Sequence, residues 1–367
     1  MKILYITTVG VTMNFFCSFI RSQLDIGNQI DIATNENDGK NEVPVCYREW
    51  GCRVFHIDTS RSPISFGNIR AIKQIRDIVS KNHYDIVHCH TPLASMATRL
   101  ACKELRTNGL KVIYTAHGFH FYDGAPLKNW LIYYPVEKWL SKYTDVLITI
   151  NKEDYKRAKD NFYSNRIEYV PGIGIDLDKF KRNENGRQKI RKELGLDESR
   201  IMLLSVGELN DNKNHESVIR AIEKEKNITY VVVGRGDLRT RLIHLADECD
   251  VDLRLMGYRN DVADFYKAAD AYILPSLREG LNVSLMEAMA SSLSCLVGRI
   301  RGNIDLIDDK GGFLFDPASI EGIRKAVKNM LSLTDTERRN LGCYNMNKIR
   351  AFDLKSVKES VSKVYQR

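Results

Sequence analysis

Two successive series of short β-branched runs, each interleaved with helix-length patterns, constrain this chain more than any other feature. The first series is KILYIT (2–7), QIDIAT (29–34), RVFHI (53–57), DIVHCH (85–90), KVIYT (111–115) and DVLITI (145–150). The second is IMLLSV (201–206), ITYVVV (228–233), VDLRLM (251–256), AYILP (271–275), SCLVG (294–298) and GFLF (312–315). Runs of this kind alternating with helices are what parallel βα units produce, because helices cover both faces of such a sheet. In 367 residues the repetition predicts an α/β chain of two Rossmann-like, doubly wound domains, each able to bury its own core. The polar, strandless stretch KFKRNENGRQKIRKELGLDES (179–199) separates the series, so a linker is expected near 172–185. We place the first domain at 1–172 and the second at 173–345. Residues 346–367 should form a helix that packs back on the first domain, with Leu354, Val357, Val361, Val364 and Tyr365 on one face.

The formal charge of +8 comes from scattered basic residues with mild clusters such as Arg70, Lys73, Arg76 and Lys81. That distribution reads as a solvated face, and it also suits an anionic membrane surface or a phosphorylated substrate. Nucleic acid is disfavoured, since no basic stripe interleaved with aromatics is present. Eight cysteines without a C-x-x-C pair read as free thiols of a reducing compartment. Cys46 and Cys52 have no His or Cys at metal-ligand spacing beside them. The apolar start MKILYITTVGVTMNFFCSFI is broken by Thr7, Thr8, Gly10, Thr12 and Asn14, which favours a strand, a loop and a helix over a signal peptide. No segment reaches the ~18 apolar residues of a membrane span. A cytoplasmic protein, free or peripheral at the inner face of the membrane, is expected.

Ligands of open parallel sheets bind beyond the carboxyl ends of the strands, so the residues that follow strands carry the functional signal. VVVGRGDLRTRL (231–242) has Gly234 and Gly236 but Arg239 where a third glycine completes a dinucleotide fingerprint. A turn needing two glycines is the simpler reading, with an NAD-dependent dehydrogenase or epimerase as the alternative. In SVGELNDNKNHESVIRAI (205–222), Gly207 leads to Lys213 and a helix N-terminus, a combination that suits a diphosphate and equally a solvated loop lysine. PSLREGLNVSLMEAMASS (275–292) ends a strand, then places Glu279, Gly280, Leu281 and Asn282 before a helix that carries Glu287. First-turn N–H groups are unpaired donors there, and each carboxylate can accept two hydroxyl hydrogen bonds from a sugar diol. Helix-dipole and arginine partners would explain either acid alone.

Glu279 and Glu287, with seven residues between them, together with EGLNVSLMEAMA and the upstream SVGELN and Lys213, resemble the E-x7-E signature of retaining glycosyltransferases of the GT-B fold. Within them the chain resembles family GT4, especially its bacterial capsule and exopolysaccharide branch. The likeness extends over YDIVHCHTPLAS (84–95), TAHGFHFYDGAPLKNW (115–130), DVLITIN (145–151), VPGIGID (170–176) and IRGNIDLI (300–307). It implies two Rossmann-like domains facing across a cleft, the first binding the acceptor and the second the nucleotide sugar. It also implies that domain closure excludes water. Lys213 then matches the diphosphate-binding lysine, Glu287 the acid that grips the ribose, and Glu279 the acid at the transferred sugar. Backbone N–H groups at Gly280, Leu281 and Asn282 would hold the diphosphate, with Gly207 in the adjoining loop. His117 matches a first-domain histidine that approaches the donor sugar, Gly10 lies in the first-domain loop lining the cleft, and Gly257, Tyr258 and Arg259 would flank the base.

The implied reaction is transfer of a UDP-linked hexose or N-acetylhexosamine to a lipid-linked sugar in surface polysaccharide assembly, with retention of configuration. Nucleotide sugar and lipid-linked acceptor are the expected partners, with no cofactor and no metal. His117 and His120 form no metal pair with a third ligand in the sequence. Glu208 stands where many relatives carry an arginine that contacts the diphosphate, and TVGVTMNFF (8–16) lacks their Gly-Gly loop. The departure at Glu208 leaves a non-catalytic sugar- or nucleotide-binding protein of the same fold as the alternative.

Overall fold

The computed structural model describes residues 1–37 and 42–366. Two compact units emerge, Met1–Ile173 together with the segment from Lys355 onward, and Gly174–Leu354. Among the described residues of the first unit, the strands are β1 (Lys2–Val9), β2 (Gln29–Asn35), β3 (Val54–His56), β4 (Ile86–His90), β5 (Lys111–Ala116), β6 (Val146–Thr149) and β7 (Arg166–Tyr169). All pair in parallel, in the order β3-β2-β1-β4-β5-β6-β7. Alternate side chains enter opposite layers, as strand geometry requires: Leu4, Ile6, Val87 and Val112 lie in one core, Ile3, Tyr5, Ile113 and Val146 in the other. The helix Leu354–Gln366 covers the second layer, where Val357, Val364 and Tyr365 are buried. Burial of such side chains contributes roughly 1.5–3 kcal/mol apiece.

The apolar start of the chain is β1, a 3-10 helix at Gly10–Phe16 and an α-helix at Cys17–Asp25, the strand, loop and helix expected of it. All eight cysteines are free thiols. Strand β7 has no counterpart in the sequence reading. RIEY is four half-buried residues at the sheet edge, and Arg166 and Glu168 pair with each other at 2.8 Å, so no apolar run marks it.

In the second unit, β8 (Ile201–Val206), β9 (Ile228–Val233), β10 (Asp252–Gly257), β11 (Ala271–Leu274), β12 (Ser294–Gly298) and β13 (Gly312–Phe315) lie in the order β10-β9-β8-β11-β12-β13. The order reverses between β8 and β11, which makes the carboxyl ends of those strands the place for a ligand. The polar stretch at 179–199, expected to separate the domains, is folded into this unit. Asn183 caps the helix Glu184–Leu194 by accepting the Gly186 N–H at 2.8 Å. Its apolar and cationic residues then dock: Ile190 is fully buried, and Arg187 and Arg191 both bridge Asp270, at 3.1 and 3.0 Å. The passage between units falls at Ile173–Gly174.

Candidate functional site

The loop after β8 is rich in asparagine, and each asparagine has a task. The Asn210 side chain accepts the Lys213 N–H at 3.0 Å, closing a 3-10 turn at Asp211–Lys213. Asn212 donates to the Arg278 carbonyl at 3.0 Å and its own carbonyl accepts the Leu277 N–H at 2.8 Å. Asn214, at φ 55°, takes the left-handed conformation that asparagine tolerates and donates to the Pro275 and Pro317 carbonyls. These bonds stitch the β8 loop to the β11 loop across the point where strand order reverses. The result is a part-buried ion pair: Lys213 Nζ lies 2.7 Å from Glu279 Oε1. Glycine at 207 leaves room for the Lys213 stem, since a Cβ there would stand 3.2 Å from its Cε.

Beyond Glu279 the backbone turns into the helix Val283–Ala290. Asn282 caps it, accepting the Leu285 N–H at 2.9 Å. Among the described residues no acceptor engages the N–H groups of Gly280, Leu281 or Asn282, which leaves a run of donors at the positive end of a helix. Gly302, at φ 79°, packs its α-carbon against the Gly280 carbonyl and holds this loop from the β12 side.

Glu287 sits one turn into the helix, its Oε2 2.8 Å from the Tyr266 hydroxyl, which also lies 3.0 Å from the Ser284 carbonyl. Burial pushes the Glu287 carboxyl up to about 7, with the Tyr266 hydrogen bond and Lys179 pulling the other way. The sign of the stability effect follows: between the ordinary value of 4.5 and about 7 the folded state holds a proton that the unfolded chain has lost, so stability falls as pH rises through this window. Glu287→Gln is therefore expected to be more stable than the parent at pH 8, by up to about 3 kcal/mol. The difference should shrink below pH 7 and vanish below pH 4.5. Thermal melts at pH 4, 6 and 8 check this; a Glu287→Gln protein that melts earlier than the parent at pH 8 would contradict it.

A hollow of about 440 Å³ opens among the loops after β8 and β9, walled by Leu209, Gly234, Arg235, Gly236, Arg239 and the end of β10 at Leu255–Gly257. Here Gly234 and Gly236 find their reason. A Cβ on Gly234 would stand 1.8 Å from the Gly207 carbonyl oxygen, and one on Gly236 2.3 Å from that of Leu209. The two glycines let the β9 loop press against the β8 loop, and Leu209 bonds across it in both directions, to Arg235 and from Leu238. Gly257 reaches this hollow, whereas Tyr258 and Arg259 do not line it. Arg259 is clamped by Glu193 and Asp261 at 2.8–3.0 Å. The Tyr258 ring is exposed, with the Arg235 guanidinium 5.6 Å from its centroid. Glu208 is exposed as well, its carboxylate accepting from Asn210 at 2.9 Å.

Gly10 and His117 belong to the first unit. Gly10 opens the 3-10 helix after β1, and His117 follows β5 with its Nε2 3.2 Å from His90 Nδ1. His120 packs against the Tyr133 ring with centroids 4.7 Å apart. The structure thus brings Gly207, Lys213, Glu279, Gly280, Leu281, Asn282 and Glu287 to one edge of the second sheet. Tyr266, Arg235 and His90 were not selected from sequence. Tyr266 carries no motif of its own, Arg235 is a variable position of the partial fingerprint VVVGRGDLRTRL, and His90 was read as the last residue of DIVHCH, within the stretch of likeness at 84–95, without a role.

The family Glycosyl transferase 4-like matches residues 2–151, and the family Glycosyl transferases group 1 matches residues 186–347. EpsD of Bacillus subtilis (strain 168), named as a glycosyltransferase, is 36% identical over 323 residues, spanning 85% of this chain and 83% of that protein. The UDP-Gal:alpha-D-GlcNAc-diphosphoundecaprenol alpha-1,3-galactosyltransferase of Escherichia coli is 31% identical over 303 residues, spanning 77% and 76%. Among solved structures, Anabaena Alr3699/HepE in complex with UDP superposes with a TM-score of 0.83 at 15% identity, covering all of both chains. WaaG, a glycosyltransferase involved in lipopolysaccharide biosynthesis, gives 0.74 at 19% identity, covering 99% of each.

Proposed function

The chain belongs to the glycosyltransferases of the GT4 family with the GT-B fold, and from that premise we propose that it moves a sugar from a UDP-linked donor to a lipid-linked saccharide during surface polysaccharide assembly, with retention of configuration. One observation carries the reading: Lys213 and Glu279 are paired at 2.7 Å beside the open N–H groups of Gly280, Leu281 and Asn282, with Glu287 one turn further on. In the reaction proposed, negative charge grows on the leaving diphosphate as the sugar acquires oxocarbenium character. Lys213 and the N–H groups stabilise that charge from fixed positions. Glu287 accepts the ribose hydroxyls, Glu279 faces the sugar, and the hollow at Gly234–Gly236 takes the base. The reading assigns neutralisation of the diphosphate to these groups and calls on no resident cofactor or metal. The second cation lost at Glu208 is replaced by backbone donors. Departure of the diphosphate on the face from which the acceptor enters gives retention without a protein nucleophile.

A lipid-linked acceptor is supported by the first unit. A cavity of about 410 Å³ at the ends of β1 and β4 is walled by Val9, Pro92, Leu93, Met96 and Ile132, with Arg61 at its rim. Apolar side chains of the helix Leu127–Leu140 continue outward from it, Leu127 and Leu131 being 72% and 68% exposed. An apolar surface of this kind marks a binding site rather than ordinary solvent-facing chain, and the E. coli relative is named for a diphosphoundecaprenol substrate. No helix among the described residues is long and apolar enough to cross a membrane, so contact with the bilayer would be peripheral.

The test is direct. Purified protein is given a panel of UDP-sugars with a polyprenyl-diphosphate N-acetylhexosamine in anionic vesicles, and UDP release is followed. Release that depends on acceptor is expected, with an α-linked product by NMR from an α-linked donor. Saturable UDP binding without turnover of any donor would instead establish a non-catalytic binder.

A further inference from the structure

His90 and His117 stand at the carboxyl ends of neighbouring strands, β4 and β5, in the first unit. Their rings meet edge to edge, His90 Nδ1 lying 3.2 Å from His117 Nε2. His90 is 2% exposed and its other nitrogen, Nε2, is buried with no hydrogen-bond partner. Phe16 and Tyr5 pack against the ring, with centroids at 4.3 and 5.5 Å. The neighbouring His88 differs: both of its nitrogens are engaged, by the Tyr365 hydroxyl at 2.6 Å and the Thr115 hydroxyl at 2.8 Å.

Desolvation keeps both rings of the pair neutral at physiological pH. It lowers His90 well below its ordinary value and His117 to about 4. Two neutral imidazoles sharing one hydrogen bond have two arrangements. If His117 donated, His90 would carry its proton on Nε2 and bury an unpaired N–H. If His90 donates through Nδ1, the orphan is a bare lone pair. Buried N–H groups without an acceptor are the rarer case in folded proteins, under-satisfied acceptors being better tolerated. The second arrangement fixes His117 as well: with Nε2 accepting, its proton must sit on Nδ1. No partner engages that Nδ1 among the described residues, and it is not among the buried unpaired atoms.

We propose that His90 is a positioning residue that locks His117 in its Nδ1–H tautomer, so that His117 offers a fixed hydrogen-bond donor to a ligand oxygen, either a sugar hydroxyl or a diphosphate oxygen. The catalytic part of this inference rests on the reading of His117 as a donor-sugar contact; the tautomer part does not. His90→Phe removes the donated bond while keeping an aromatic ring among Tyr5, Phe16 and His88. His90→Asn keeps a donor, since the asparagine Nδ2 stands where the imidazole Nδ1 stood.

The experiment uses the full chain labelled with nitrogen-15 histidine, with the His117 signals identified by their loss in His117→Gln. Long-range proton–nitrogen correlation should show His117 as the Nδ1–H tautomer in the parent and in His90→Asn, and as the Nε2–H tautomer or a mixture in His90→Phe. In turnover, His90→Phe should lose about tenfold in kcat, the worth of one neutral hydrogen bond. UDP affinity should be unchanged where the ligand oxygen is a sugar hydroxyl and should fall by a similar factor where it is a diphosphate oxygen, and His90→Asn should recover most of the loss. A parent His117 protonated on Nε2, or a His90→Asn protein as slow as His90→Phe, overturns the proposal. If the parent transfers no sugar at all, the functional reading fails, and the NMR measurement still decides the tautomer.

Discussion

Replacing Lys213 by alanine lowers kcat/KM for sugar transfer by on the order of 10²–10³, the cost of removing one preorganised charge from a developing anion. The structure adds a second reason for the size of the effect. Glu279, 13% exposed at its side chain, has Lys213 2.7 Å away. Without that cation a part-buried carboxylate is left beside two phosphates, and losing one partner of such a pair costs more than the pair contributed. Steady-state UDP release together with calorimetric titration of UDP measures both parts. Wild-type kcat/KM in Lys213→Ala would remove Lys213 from the site.

Glu279→Gln is expected to separate binding from turnover in opposite directions. In the structure Lys213 is committed to Glu279, so a diphosphate must compete with an internal carboxylate for the same ammonium group. Removing that charge should tighten UDP about three- to tenfold, the range of a modest, part-buried ion pair. Transfer should nevertheless slow by about 10²-fold, because the group placed at the sugar no longer carries the charge that steadies an oxocarbenium-like transition state. The double variant Lys213→Ala/Glu279→Gln completes a cycle: coupling between the two positions appears as a change in UDP affinity from Glu279→Gln in the Lys213→Ala background that differs from its three- to tenfold gain in the parent. Weaker UDP binding by Glu279→Gln would mean that the acid assists the nucleotide rather than competing for its lysine.

The fold was readable wherever apolar residues clustered within a strand. The twelve runs read from the sequence correspond to strands β1 to β6 and β8 to β13, the half-exposed edge strands β3 and β10 included, whereas β7, RIEY, escaped because its four residues hold no apolar run. The helix Glu184–Leu194 showed in the sequence only as part of a polar, strandless stretch, because its docking depends on Arg187 and Arg191 reaching Asp270, a partner about 80 residues away that composition cannot indicate. In the site, Lys213, Glu279 and Glu287 stood out since each follows a strand within a distinctive local pattern. Tyr266, Arg235 and His90 act through neighbours supplied by other helices, strands and loops, and the order in which these elements pack is the information a single segment lacks. The paired glycines at 234 and 236 show the same limit. Their spacing suggested a turn, while the carbonyls of Gly207 and Leu209 that actually require them lie on a different loop.

The helix Leu354–Gln366 also bears on how the molecule is made. Unit 1 begins at Met1 but its second core layer includes Val357, Val364 and Tyr365, and the Tyr365 hydroxyl meets Tyr5 at 2.5 Å and His88 at 2.6 Å. Unit 2, by contrast, is one uninterrupted segment, Gly174–Leu354. Domains ordinarily fold in the order in which they are synthesised, yet here the later unit has its whole sequence first. On the ribosome the N-terminal unit must wait, with one face of its sheet uncovered, until residues 355–366 have left the exit tunnel. Its maturation therefore comes after synthesis of the second unit, and that open face is where chaperone binding or premature aggregation would concentrate.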